Sequence, residues 1–351
     1  MSANSNWRNA GSSRGPSNEW PVTRTRTQAS GSAAPRRMEN IASVSRSSGL
    51  EKDGDALKNF DVQEDYRQFI QGKLNDLWER HIRLPTETEA EARQRVDAQE
   101  NVLILFRKLR EGIVSSKRTG QFTMEVYETS LYLAVVFDSP QHINPVIPAL
   151  VAFLHLPSTE TSRNSVQTVL ICLLHHLVAT YPSQREFHLF LDSVPKAFLP
   201  DGSAAQAWIK SLTGCIRTGN YAKIHRLTQM SALPVDDSGQ SYVEQMAAMS
   251  LSSEAGPELP RKALYHLVDA LQSKTRDSAW TIMRVAYREL SCQVDPHLDT
   301  RNWLERSLGL MSEVPGGRNV LLDEWLERES ALGHIRKKDG VDGRWILCKP
   351  R

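Results

Sequence analysis

His334-Ile335-Arg336-Lys337-Lys338-Asp339-Gly340-Val341-Asp342-Gly343-Arg344-Trp345-Ile346-Leu347-Cys348-Lys349 is the stretch that separates this fold from a plain bundle of helices. Its middle piece, 339–343, holds two Asp and two Gly. These are hairpin-loop residues: Gly enters the left-handed region without steric cost, and Asp side chains bond their own backbone. A β-hairpin is therefore expected across 333–351. Two short helices are expected ahead of it, over 301–311 and 318–330, joined by Pro315-Gly316-Gly317. In the second, Asn319 or Asp323 suits the helix start, and Leu321, Leu322, Trp325 and Leu326 form the apolar side. Helix, helix, then hairpin is the plan of a winged helix.

Upstream, the chain reads as helix upon helix. Phe69, Ile70, Leu74, Leu77, Trp78 and Ile82 recur at three- and four-residue steps, which gives one apolar stripe. Pro85 and Thr86 break the pattern, and Thr86 or Thr88 suits the cap of a helix running to about Ile113. Further helices are expected at about 122–137, 143–155, 164–180, 203–217, 221–230, 240–251, 261–273 and 277–290. Short Pro, Gly, Ser or Asp punctuation separates them. No segment before residue 330 alternates in the manner of a sheet strand. The expected fold is an all-α array of helical hairpins, TPR-like but without a fixed sequence period, ending in a winged helix with a small β-hairpin.

The chain has 351 residues, a formal net charge of +2, 40% apolar and 24% charged residues, ordinary values for a globular protein. No apolar run approaches the ~20 residues of a membrane-spanning helix, so no membrane partner is expected. The charge is uneven. Residues 1–50 carry seven Arg, no Lys and two acids, for a net +5, together with eleven Ser. Such a segment buries too little surface to offset its chain entropy. The expected parts are a disordered Arg/Ser-rich tail over 1–58, a helical-repeat domain over 59–260 and a winged-helix domain over 261–351. Residues 333–351 hold six basic and two acidic side chains, a local +4.

No catalytic constellation emerges. G-x-x-x-x-G-K, G-x-G-x-x-G after a strand and H-E-x-x-H are all missing. His175-His176 is the most tempting pair, but adjacent helical residues point about 100° apart and do not readily share one metal. The expectation is a buried histidine with a hydrogen-bond partner, beside one nearer the surface. Cys172, Cys215, Cys292 and Cys348 lie dozens of residues apart and form no C-x-x-C pair. They read as structural thiols in a reducing compartment. An enzyme, a cofactor and a metal are not expected.

Three segments together resemble the PCI superfamily, shared by the proteasome lid, the signalosome and translation initiation factor 3. They are Leu105-Phe106-Arg107-Lys108-Leu109-Arg110-Glu111-Gly112-Ile113 with the following 122–129, then 208–227, then the carboxy-terminal helix and basic hairpin. Within the second lies Arg217-Thr218-Gly219-Asn220-Tyr221, where Gly219 suits a left-handed helix end and Asn220 the cap of the next helix. Tyr221, Ile224 and Leu227 suit anchorage of that helix. Within the superfamily, the chain is most similar to the germinal-centre-associated nuclear protein type of mRNA-export scaffold. The resemblance covers about 60–351. It implies a nuclear, partly cytoplasmic, non-catalytic scaffold subunit that pairs with another PCI-domain subunit, with a small acidic subunit and with RNA or DNA. The candidate nucleic-acid contacts are Arg336, Lys337, Lys338, Arg344, Lys349 and Arg351, by phosphate neutralisation. Trp345 suits base stacking or, more simply, packing on the preceding helix. Two alternatives stand beside this: a lid-type subunit of the proteasome, signalosome or initiation factor 3, and a stand-alone RNA- or DNA-binding regulator.

Overall fold

The computed structural model describes residues 38–44, 54–80, 87–155, 165–234, 258–293, 299–311 and 319–350. The chain divides into two compact units, Met1–Glu39 and Asn40–Arg351. Of the first, Met38 and Glu39 are described; the elements below belong to the second. The expected tail over 1–58 lies mostly outside the described residues. Where it is described, packing begins before residue 59: Leu57 is fully buried, Ile41 nearly so, and Lys108 Nζ donates to the Ile41 carbonyl at 2.9 Å.

Nine helices among the described residues form the first part: α1 Phe60–Arg80, α2 Glu89–Ser116, α3 Gln121–Val136, α4 Pro140–Ile143, α5 Val146–Leu154, α6 Ser165–Ala179, α7 Arg185–Ser193, α8 Ala204–Thr218 and α9 Tyr221–Leu227. The expected stripe of α1 buries Ile70, Leu74 and Leu77. Helix α2 starts at a capping box, in which Thr88 Oγ1 accepts from the Glu91 N–H and the Glu91 carboxylate accepts from the Thr88 N–H. Helix α7 was not expected from the sequence; it buries only Phe187 and Phe190, three residues apart on one face. The joint between α8 and α9 follows the local chemistry read in the sequence. Gly219 takes φ +65, and the Asn220 side chain accepts from the Lys223 N–H at 3.1 Å.

The expected helices 261–273 and 277–290 are one helix, α10, Leu259–Ala286. Its 28 residues extend about 42 Å at 1.5 Å each. The first half, through Leu264, Leu267, Val268 and Leu271, packs on α3 and α6. Polar residues 272–276 looked like a break because their hydrogen-bond partners are remote in sequence. Gln272 Nε2 donates to Thr228 Oγ1 at 2.8 Å, and Lys274 Nζ to the Val178 carbonyl at 2.6 Å. Arg276 spans the carbonyls of Leu308 (2.9 Å) and Gly309 (2.6 Å). Two cations of α10 thus bond the C-terminal carbonyls of other helices, where positive charge is favoured. The expected helix over 240–251 and the Pro315-Gly316-Gly317 link lie outside the described residues.

After α10 come β1 Glu289–Ser291, α11 Thr300–Leu308, α12 Leu322–Ala331, β2 Ile335–Lys337 and β3 Arg344–Leu347. Strand β1 corrects the expectation of no strand before residue 330. It pairs antiparallel with β3, Leu290 opposite Trp345, and β3 pairs antiparallel with β2, Ile335 opposite Leu347. The sheet order is β1-β3-β2. Strand alternation places Leu290, Trp345, Leu347, Ile335 and Lys337 on the inner side and Glu289, Ser291, Arg344, Ile346 and Arg336 on the outer side. One core joins this sheet to Ala279, Trp280 and Met283 of α10, to Leu304 and Leu308 of α11, and to Leu322, Trp325 and Leu326 of α12. Trp280 and Trp325 meet edge to face at 4.5 Å, a geometry that adds about 0.5–1.5 kcal/mol beyond area burial. Leu321, expected on the apolar side of α12, is instead its N-cap and stands 63% exposed. The architecture is thus a mostly helical array with a small three-stranded antiparallel sheet at the carboxy-terminal end.

Candidate nucleic-acid interface

The hairpin forms where its residues demand it. Strand β2 ends at Lys337, the chain turns through Gly340 (φ +74) and Gly343 (φ +70), and β3 begins at Arg344. At Gly343 the requirement is double: a Cβ there would stand 2.9 Å from the Gln293 Cα, so any side chain would push the turn off β1. The turn therefore fixes the register that places the basic residues.

That placement divides the six candidate cations. Lys338 and Arg344 both turn to Glu289 on β1. Lys338 Nζ lies 2.9 Å from Glu289 Oε2, and Arg344 Nη1 lies 3.3 Å from Oε1. The hydrogen bond from Lys338, and then the charges of Lys338 and Arg344, hold the Glu289 carboxyl below its ordinary range. Lys337 pairs with Glu327 of α12 at 2.6 Å, which raises the lysine above its ordinary value, and its ammonium stands 5.3 Å from the Trp345 ring centroid. Arg336 and Lys349 are exposed, and neither makes an ion pair among the described residues. Arg351 lies outside the described residues. The local +4 therefore meets two acids, Glu289 and Glu327, that the sequence places outside the hairpin. Trp345 is 6% exposed and belongs to the core, so it packs rather than offering a ring face to a base.

Sequence reasoning missed Glu289 as the organiser of the hairpin. It stands about fifty residues ahead of its partners, on a three-residue strand, and nothing local marks it.

A second feature was not foreseen. A groove of about 740 Å³ runs between the end of α3, α6, α10 and α12, and its lining includes Asp138, His175, Asp277, Trp280, Trp325 and Glu329. His175 is buried as expected, at 7% exposure, but the hydrogen-bond partner expected for it is not found: its ring makes no hydrogen bond among the described residues, being packed in the apolar surroundings of α6. Burial, and then the neighbouring His176, lower its pKa to about 4, so it is a neutral acceptor at pH 7. His176 is half-buried, as expected of the pair. Asp277 is exposed overall, yet partial desolvation, and then the Glu329 charge, raise its carboxyl. Among the described residues no group of three His, Cys, Asp or Glu has the placement of a metal site, and no helix is long and apolar enough to cross a membrane. No protein-family model matches the chain, and no curated protein matches it.

Proposed function

We propose that this chain is a non-catalytic scaffold subunit of a nuclear complex in mRNA export or transcription-coupled RNA processing, a PCI-type protein that pairs with a second one. The observation that supports this best is the order of elements after the helical array. Helix α10, β1, α11, α12, β2 and β3 follow one another with the sheet order β1-β3-β2, the connectivity of a winged helix. A single uninterrupted α10 contributes to both the array core and the carboxy-terminal core. A partner bound to the carboxy-terminal module is then held in fixed orientation to the array, because no hinge lies between them along α10. That is what a scaffold requires of its geometry. Arg336 and Lys349 are the hairpin cations available to phosphate in this reading.

One observation favours the lid-type alternative. Lys337, Lys338 and Arg344 are spent on Glu327 and Glu289, as suits a hairpin whose charges serve its own stability.

Affinity purification of the tagged full-length chain from its own cells, with partners identified by mass spectrometry, decides between these. Recovery of a second PCI protein with export or splicing factors supports the scaffold of a nuclear complex. Recovery of lid, signalosome or ribosome-associated subunits moves the protein to the second reading. Recovery of the chain alone overturns both.

A further inference from the structure

A second group of exposed cations without ion pairs among the described residues lies away from the hairpin. From residue 202 to 234 the chain carries Lys210, Arg217, Lys223 and Arg226 and no Asp or Glu. All four lie on α8 or α9 and all four are exposed. None makes an ion pair or a side-chain hydrogen bond among the described residues. Asp201, just ahead of this stretch, pairs with Lys196 at 3.2 Å and accepts from Gln206 at 2.8 Å, with the charge of Lys210 acting on it more weakly.

The hairpin that carries these cations is rigid. Gly219 and Asn220 set its turn, and Trp208 Nε1 of α8 donates to the Leu227 carbonyl at the end of α9 at 2.8 Å. Ile224 is buried, and Tyr221 packs against the carboxy-terminal core. Binding through this surface therefore orders side chains alone and not backbone.

Three observations choose the partner. Among the described residues of 202–234 the sole exposed large apolar side chain is Met230, so the surface lacks the aromatic and aliphatic anchors around which protein interfaces form. Its aromatics, Trp208 and Tyr221, are buried or half-buried, so it offers no stacking platform for a single strand. Lys210 and Arg217 share one face of α8 two turns apart, about 10.5 Å along the axis. That separation is close to the ~12 Å width of the B-form major groove, which lets the two rest on phosphates at either side. Lys223 and Arg226 lie three residues apart and so share one face of α9. We infer that the α8–α9 hairpin holds the phosphate backbone of duplex DNA. The inference goes beyond the scaffold reading, since it needs no partner subunit, and it places the main nucleic-acid contact away from the β-hairpin.

The test is fluorescence anisotropy of the full-length chain with a short mixed-sequence DNA duplex, from about 50 to 200 mM salt. Four phosphate contacts at a slope of about −0.9 each predict a roughly 100-fold loss of affinity over that range. The K210Q/R217Q/K223Q/R226Q variant, with an unchanged circular dichroism melt, is expected to bind about tenfold or more weakly at low salt. Its salt slope is expected to flatten by about 3 to 4. R336Q/K349Q is expected to lose less. Wild-type affinity in the quadruple variant overturns the inference. So does tighter binding of single-stranded RNA that the quadruple variant retains. So does tighter binding of poly-glutamate than of DNA, which would assign the surface to an acidic protein. Partner recovery with the quadruple variant, measured separately, reports on the scaffold reading alone.

Discussion

The indole N–H of Trp280 on α10 donates to Glu329 Oε2 on α12 at 2.7 Å, and His334 Nδ1 lies 2.7 Å from that same oxygen. One buried carboxylate therefore ties the long helix, the helix before the hairpin and the entry to β2. Glu329→Ala leaves the buried Trp280 N–H without a partner, which costs about 1–3 kcal/mol. Glu329→Gln keeps a carbonyl acceptor and is expected to cost less. Urea unfolding of both variants checks the order: equal stability for wild type and Glu329→Ala would remove this carboxylate from the account of how the module is held.

Gly343→Ala is expected to destabilise the hairpin more than the hairpin's exposed positions do. The new Cβ meets the Gln293 Cα at 2.9 Å while φ stays at +70. The strain of a non-Gly residue at such a φ is about 1–3 kcal/mol. The Cys292 N–H donates to the Gly343 carbonyl at 2.8 Å, so the displacement also reaches the end of β1. Amide exchange at Cys292 and at Lys338, whose N–H donates to the Arg344 carbonyl at 2.9 Å, is the direct measurement, with faster exchange expected in Gly343→Ala. Gly340→Ala shares the positive φ, but nothing stands within 4 Å of its Cβ, so it should change the exchange less.

Stability should fall with acid through one identifiable histidine. In the unfolded chain His175 takes its proton near pH 6.5, whereas in the fold it does so only near pH 4. Between those values the unfolded state holds more protons, so folding stability declines as pH drops through the window, by about 3 kcal/mol in all. His176, also lowered by burial, adds in the same direction. Denaturation midpoints at pH 7, 5.5 and 4.5 are expected to converge between wild type and His175→Gln toward low pH. A parallel decline in the two proteins would show that the ring is already charged or solvated.

How much was legible depends on how far each element's cause lies from it in sequence. The α8–α9 joint was readable because Gly219 and Asn220 act on backbone within four residues of themselves. The capping of α2 was readable to one of two threonines, Thr86 or Thr88, for the same reason, and Thr88 is the one that caps. Helix α10 was misread as two because Gln272, Lys274 and Arg276 are satisfied by Thr228, Val178, Leu308 and Gly309, none of them nearby in the chain. Strand β1 escaped because three residues with a single inward side chain, Leu290, carry no alternation to detect. At the candidate site, the basic run 336–338 was plain, but the pairing of Lys338 with Glu289 depends on a sheet contact that no local pattern announces.

The four thiols should respond to their surroundings rather than to their sequence context. Cys172, Cys215 and Cys292 are buried, and Cys348 is half-buried. Burial pushes the Cys172 thiol well up and that of Cys292 to about 11, so neither supplies thiolate near neutral pH. Maleimide labelling of the native protein is expected to modify Cys348 slowly and the other three only after denaturant is added. Rapid labelling of Cys172 in native buffer would mean that α6 opens from the core.

Glu289→Gln addresses whether the hairpin touches nucleic acid at all. In the wild type, Lys338 and Arg344 converge on one carboxylate, and Arg336 projects from the same outer face of the sheet. Removing the Glu289 charge leaves the strand register intact, because the β1–β3 pairing runs through backbone, and frees two cations beside Arg336. If this face meets phosphate, affinity for a DNA duplex should rise in Glu289→Gln and its salt slope should steepen by about 1 to 2. If duplex binding runs through α8 and α9 alone, Glu289→Gln should leave both affinity and slope at wild-type values, while K210Q/R217Q/K223Q/R226Q removes them. The two variants act on surfaces that share no ion pair among the described residues, so their effects on binding free energy should add. A non-additive result would mean that the two surfaces hold duplex separately, as alternative sites, rather than along one bound duplex.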